Sequence, residues 1–127
     1  LVFSTLHTIG AANTIERIID VFPPNQQRQI MIQLASVLQA VISQQLIPTM
    51  DGTLIPVFEI MEVTPAIRNM IRENKVHQID GLIYSSTGSG MISMDQSLIN
   101  LYKEGKISKE TAILYASNPE MITKRIR

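Results

Sequence analysis

Hydrophobic residues in this chain first form a strand-like run and then follow helical spacing. Residues 1–6 are mostly β-branched, aromatic or aliphatic and lead into a loop, which predicts a buried strand. Such a strand needs neighbours, so we expect the chain to start inside a larger sheet. Residues 11–21 and 24–38 then place aliphatic side chains at helical spacing on either side of Pro23-Pro24. They predict two consecutive helices.

A hairpin is predicted next. Residues 40–47 and 53–61 are rich in Val, Ile and Leu, and Met50-Asp51-Gly52 between them is a turn signal. This pattern indicates two antiparallel strands. Together with the first strand, they predict a mixed sheet.

From residue 64 onwards the pattern is helical, and each helix has a local start signal. The predicted starts are Thr64-Pro65, Ser93 with Gln96 as a capping box, Ser108, and Asn118-Pro119. A further helix around residues 78–84 precedes a flexible loop at residues 85–90.

Composition excludes several classes of protein. The 11 basic and 11 acidic residues cancel, so no overall field favours a nucleic acid or an anionic membrane. The absence of Cys excludes disulfides and thiolate metal ligands, and no local metal motif is present. No apolar run is long enough to span a bilayer, and no secretory signal opens the chain. We therefore expect a soluble protein, compatible with the cytoplasm.

Nucleotide chemistry is incomplete in this sequence. No G-x-x-x-x-G-K-[ST] phosphate-binding loop occurs, and Gly88-Ser89-Gly90 is too short and lacks the following Lys. His7 follows the predicted first strand, at the carboxyl end where open α/β sheets place ligands. A single His between hydroxyl residues is nevertheless more often a structural residue.

Other charged residues carry weaker signals. Glu59 is the only acid within an apolar strand, where a structural ion pair or an edge position is commoner than catalysis. Arg68 and Arg72 lie four residues apart and share a helix face, which is also typical of a solvated helix. His77 lies beside Lys75 in a polar junction and is assigned no role.

Two segments resemble motifs of the twitching-motility retraction ATPases of type IV pili. STLHT at residues 4–8 resembles the His box that this family shares with related secretion ATPases. AIRNMIRE at residues 66–73 resembles the more specific AIRNLIRE motif, with Met70 in place of Leu, a swap that packed helices tolerate. The resemblance covers essentially the whole chain. The tight Asp51-Gly52 turn, where assembly and secretion relatives insert a cysteine-rich zinc module, favours the retraction branch.

The resemblance implies an α/β fold: residues 1–63 as the C-terminal part of a RecA-like P-loop ATPase core, and residues 64–127 as a C-terminal helical bundle. His7 would sense the γ-phosphate, with Thr5 and Thr8 holding the strand end. Residues of the second motif would couple hydrolysis to retraction: Ala66, Ile67, Arg68, Asn69, Ile71, Arg72 and Glu73.

The resemblance also implies the assembly and its ligands. The full-length protein would be a cytoplasmic homo-hexamer that binds ATP and Mg²⁺ and works at the inner face of the membrane with a pilus platform protein. The phosphate-binding Lys and catalytic acids would come from an upstream half, so this part alone would be inactive. The alternative is a non-catalytic docking module of pilus or secretion machinery.

Overall fold

The computed structural model describes residues 1–86 and 89–126. Residues 1–6 form no strand in it, so that prediction is wrong for the described chain. Leu1, Val2 and Phe3 are almost fully exposed. A strand is held by hydrogen bonds to a neighbouring strand, and no described segment pairs with these residues.

The first two predicted helices are confirmed. Helix α1 is Ala11–Asp20 and helix α2 is Pro24–Val37. Pro24 occupies the first turn of α2, where its missing N–H costs no hydrogen bond. Ala11, Ile15 and Ile19 of α1 are buried because they share the face of the helix that points into the core.

The predicted hairpin is also confirmed. Strand β1 is Ala40–Pro48 and strand β2 is Leu54–Glu62, paired antiparallel with Ser43 opposite Glu59. In the turn, the carboxylate of Asp51 accepts hydrogen bonds from the Thr49 hydroxyl and from the backbone N–H of Thr53. These bonds lower the pKa of Asp51. The described sheet consists of this antiparallel pair, so the expected mixed sheet is not formed.

The predicted helices after residue 64 are all formed, and all except α4 begin at the predicted capping residue. They are α3 Pro65–Arg72, α4 Ile79–Ser85, α5 Met94–Lys103, α6 Lys109–Leu114 and α7 Pro119–Arg125, with a 3₁₀ turn at Val76–Gln78 before α4. Thr64, Ser93, Ser108 and Asn118 each accept a backbone N–H of the first turn. The capping box at Ser93 is half formed among the described residues: Ser93 Oγ accepts the N–H of Gln96, whereas the Gln96 side chain donates to Asn100 and accepts nothing from the Ser93 N–H. The predicted loop at 85–90 lies partly outside the described residues.

Two hydrophobic clusters hold the elements together. The first joins α1, α3 and α4, with Ile15, Ile67 and Ile83 at its centre. The second joins the turn end of the hairpin to α5, α6 and α7 around Ile47 and Leu98. Because the first cluster contains residues from both sides of position 63, the described chain packs continuously across that position, and the division into two domains stays a prediction. Among the described residues, no helix has the length and apolar character needed to cross a membrane.

Candidate functional site

His7 lies in the segment that leads into α1. Its side chain is exposed and borders an open depression of about 430 Å³ beside one face of α1. The helix contributes the carboxylates of Glu16 and Asp20 and the guanidinium of Arg17 to this depression. A phosphate group binding here would therefore need more positive charge than the described lining supplies.

The two threonines predicted beside His7 have different surroundings. Thr8 is half-buried, and its hydroxyl lies 2.7 Å from the hydroxyl of Thr14. Thr14 donates to the carbonyl of Gly10 at 2.8 Å, so Thr8 is the donor in the hydroxyl pair. Thr8 thus fastens the His7 segment to α1, whereas Thr5 is exposed.

The hairpin holds the same segment from the other side. The backbone N–H of Gly10 donates to Ser43 Oγ at 3.1 Å, and that of Ala11 donates to Glu59 Oε2 at 2.7 Å. The second oxygen of Glu59, Oε1, accepts from the N–H of Met94 at 3.3 Å. One carboxylate therefore meets the first residues of both α1 and α5, where the orphan N–H groups of a helix carry partial positive charge.

This arrangement changes the interpretation of Glu59. The expected ion pair is not formed among the described residues: the side chain is only 6% exposed and its partners are backbone N–H groups, although β2 is an edge strand of a two-stranded sheet. Burial raises the pKa of Glu59, because a desolvated carboxylate is disfavoured. The two N–H donors act against that rise, while the negative charges of Asp80 and Asp95 add to it.

The raised pKa of Glu59 gives a pH prediction. Between 4.5, the ordinary value of this side chain, and the raised pKa, the folded protein binds more protons than the unfolded chain. The Glu59 contribution to stability is therefore fully present below pH 4.5 and is lost as the pH rises through the folded pKa. Glu59→Gln cannot titrate and should lack this part of the slope. Urea denaturation across this pH range measures it, and parallel wild-type and variant curves would contradict the prediction.

A second buried carboxylate lies near the first. Asp95 is 4% exposed and accepts the N–H of Ser117 at 2.7 Å and that of Asn118 at 2.9 Å. It thereby ties α5 to the turn before α7. Glu59 and Asp95 both line a cavity of about 720 Å³. The described residues hold no group of three His, Asp or Glu side chains placed to bind a metal ion.

The second predicted motif lies on α3 and the residue after it. Ile67 and Ile71 are fully buried, whereas Ala66, Asn69, Arg72 and Glu73 are exposed. The Arg72 guanidinium donates to the side-chain oxygen of Asn69 at 2.9 Å, and Glu73 pairs with Lys75 at 3.3 Å. The motif therefore offers a polar surface above an apolar anchor.

Arg68 differs from the other polar residues of the motif. It is half-buried, and its guanidinium donates to the backbone carbonyls of Ala35 and Leu38 at the end of α2. Carbonyls in the last turn of a helix have no intrahelical partner and attract cations. Arg68 therefore caps α2, a role that its sequence position did not indicate.

The two arginines should differ in their effect on stability. We expect Arg68→Ala to lower the free energy of unfolding by about 1 to 2 kcal/mol, because charged hydrogen bonds to the end of α2 are lost. Arg72→Ala removes an exposed contact and should change it by less than about 0.5 kcal/mol. Urea denaturation of both variants checks this, and equal losses would argue against the cap.

Comparison with known proteins identifies relatives of this chain. No protein-family model matches the chain. The chain is 46% identical over 124 residues to a twitching motility protein of Neisseria gonorrhoeae. The aligned region covers 97% of this chain and 33% of that protein. It is also 46% identical over 120 residues to the type IV pilus retraction ATPase PilT of Pseudomonas aeruginosa, with 94% of this chain and 35% of PilT covered.

A solved structure agrees with these relatives. The pilus retraction motor PilT with bound ADP matches with a TM-score of 0.82 and 40% identity, over 94% of this chain and 33% of that structure. This chain is homologous to the PilT-type pilus retraction ATPases. The predicted resemblance is confirmed, and the chain spans about a third of the length of these relatives.

The fold likeness extends to a more distant ATPase. DotB of Legionella pneumophila matches with a TM-score of 0.69 at 20% identity, which shows a shared fold alone. The α/β class is therefore confirmed, with a small two-stranded sheet like that in part of the PilT and DotB structures. The RecA-like core stays a prediction.

The residues around His7 form only part of what a PilT-type ATPase would need to hold ATP and Mg²⁺. The sequence has no phosphate-binding loop, and the depression beside His7 includes no Lys. By themselves, these residues do not supply a complete site for ATP and Mg²⁺. What they do provide is one imidazole at a segment held by hydrogen bonds on two sides.

Proposed function

We propose that this chain is part of a hexameric, ATP-hydrolysing motor that retracts type IV pili and drives twitching motility. The observation that carries the proposal is the 46% identity to a twitching motility protein over 97% of the chain. The match in fold to a retraction motor that binds ADP supports the same function. The full-length protein would act in the cytoplasm, at the inner membrane, on a pilus platform protein.

Exposed apolar surface supports a role within a larger assembly. Ile42, Leu46 and Leu54 on the outer face of the hairpin are more than half exposed, and residues 1–3 are almost fully exposed. Apolar patches of this kind are typical of surfaces that meet other protein. They fit a chain that contributes one part of a hexameric ATPase.

His7 and the α3 motif would have separate roles in this motor. His7, with Thr5 and Thr8 in the same segment, would contribute one hydrogen-bonding group near the γ-phosphate, while the phosphate-binding loop, Mg²⁺ ligands and catalytic acids come from elsewhere in the full-length protein. The exposed residues of α3 would transmit motion to the machinery rather than touch nucleotide. Movement of rigid parts against one another is a common way to convert phosphate binding into work.

The division of roles predicts a selective defect. Arg72→Ala in the full-length protein should leave kcat for ATP hydrolysis within about twofold of wild type, because Arg72 is exposed and its loss is nearly neutral for folding. Twitching motility should fall strongly in the same variant. Zone diameters on agar, beside ATPase rates of the purified protein, measure the two effects. Equal loss of both activities would contradict the separation.

The proposed function is tested by ATP hydrolysis and oligomeric mass of the full-length protein beside the 127-residue chain. Activity and a hexameric mass in the full-length protein, with an inactive chain, support a motor of which this chain is a part. A full-length protein that neither hydrolyses ATP nor shows a higher melting temperature at saturating ATP would instead be a docking module.

A further inference from the structure

The segment that carries His7 is fixed at its end by the hairpin rather than by its own helix. Gly10 precedes α1 with φ +94° and no side-chain cap, so the first N–H groups of α1 need acceptors from another element. Ser43 Oγ accepts from Gly10, and Glu59 Oε2 accepts from Ala11. Ser43 and Glu59 face each other across the hairpin. We call these two side chains the hairpin clamp.

The clamp contacts the chain at Gly10, where the positive φ favours glycine and a Cβ would make only an ordinary van der Waals contact. A Cβ at this position would lie 3.6 Å from Glu59 Oε2, in a backbone conformation that L side chains rarely adopt. Ser43 and Glu59 are 4% and 6% exposed. Buried acceptors with these contacts restrict where the segment from His7 to Gly10 can lie.

The clamp also reaches the helical part of the chain. Ile60 exchanges two backbone hydrogen bonds with Ile92, at 2.9 and 3.1 Å, which brings the start of α5 beside β2. There Glu59 Oε1 accepts from the N–H of Met94. A shift of α5 relative to the hairpin would therefore act on the same carboxylate that holds Ala11.

We propose that Glu59 is a positioning residue, which acts through the hairpin clamp to hold His7 in its working place and to link that place to α5. This inference rests on the proposed function, since it assigns His7 a part in ATP hydrolysis. Glu59 touches no nucleotide in this scheme. Its contribution to turnover exists only while His7 is present.

A double-mutant cycle on the full-length protein tests this dependence. Glu59→Gln keeps the shape but offers one oxygen to two N–H donors, so His7 should be displaced. Displacement by about 1 Å can slow an enzyme on the order of a hundredfold, and we expect kcat to fall at least about tenfold with KM for ATP within twofold. In a His7→Ala background, Glu59→Gln should change kcat by less than twofold.

Hydrogen exchange of the full-length protein gives a readout besides activity. In Glu59→Gln, the amides of both Ala11 and Met94 should exchange at least about tenfold faster, because one side chain protects both. Asp95→Asn is the matched control, because Asp95 is also a buried carboxylate that accepts two backbone N–H groups. Its replacement should speed amide exchange at Ser117 and Asn118 and leave kcat within twofold of wild type. Ser43→Ala removes only the acceptor of the Gly10 N–H, so it weakens the clamp more mildly. It replaces Glu59→Gln in these measurements if that variant fails to fold.

The outcomes separate the inference from the proposed function. The clamp is supported if Glu59→Gln lowers kcat in the wild-type background but not in the His7→Ala background, and if the amides of Ala11 and Met94 both exchange faster in Glu59→Gln. The inference alone is overturned if the wild type is active but Glu59→Gln changes kcat by the same factor with and without His7. The same comparison applies to Ser43→Ala if that variant is used instead. A full-length wild type with no ATPase activity overturns the proposed function and the inference with it.

Discussion

His7→Ala in the full-length protein is expected to lower kcat for ATP hydrolysis about a hundredfold. A preorganised hydrogen-bonding group at developing negative charge commonly contributes an effect of that order. His7 is exposed at the rim of a depression, and Thr8, Ser43 and Glu59 hold its segment in place. Steady-state ATPase assays at saturating ATP measure the change in kcat.

The chain offers a matched control for this prediction. His77 is its only other histidine and is also exposed, in the 3₁₀ turn before α4. His77→Ala should leave kcat within twofold. If the two variants lose the same activity, or if His7→Ala retains the wild-type rate, His7 has no part in hydrolysis.

Glu59→Ala should cause the largest loss of stability among the variants considered. It removes the acceptor of two buried N–H groups, at Ala11 and Met94, and each buried donor left without a partner destabilises by about 1 to 3 kcal/mol. Relief of the buried charge offsets part of this, since burial raises the pKa of Glu59. We therefore expect the free energy of unfolding to fall by about 2 to 4 kcal/mol, measured by urea denaturation.

Glu62→Ala is the control on the same strand. Glu62 lies three residues from Glu59 and is exposed, so its replacement should change stability by less than about 0.5 kcal/mol. A Glu59→Ala variant as stable as Glu62→Ala would mean that water or another group replaces the carboxylate at both helix starts. The hairpin clamp would then contribute little to the fold.

Local signals in the sequence determined most of the elements. Thr64-Pro65 and Asn118-Pro119 start helices in the structure as predicted, because capping and the fixed φ of proline act within one turn. The hairpin follows from its turn residues and β-branched strands in the same way. The first strand failed for the opposite reason: it needs a partner strand, and no described segment supplies one.

For the candidate site too, local sequence patterns and tertiary contacts supplied different information. The sequence marked Glu59 as an acid within an apolar strand, and the resemblance to the retraction ATPases marked His7 and the α3 motif. Only the tertiary structure decided what surrounds them: Glu59 joins residues 48 positions before it and 35 positions after it, and Arg68 caps a helix 33 residues upstream. Contacts over such separations depend on how the elements pack. Periodicity and capping, which report neighbours within one or two turns, cannot specify them.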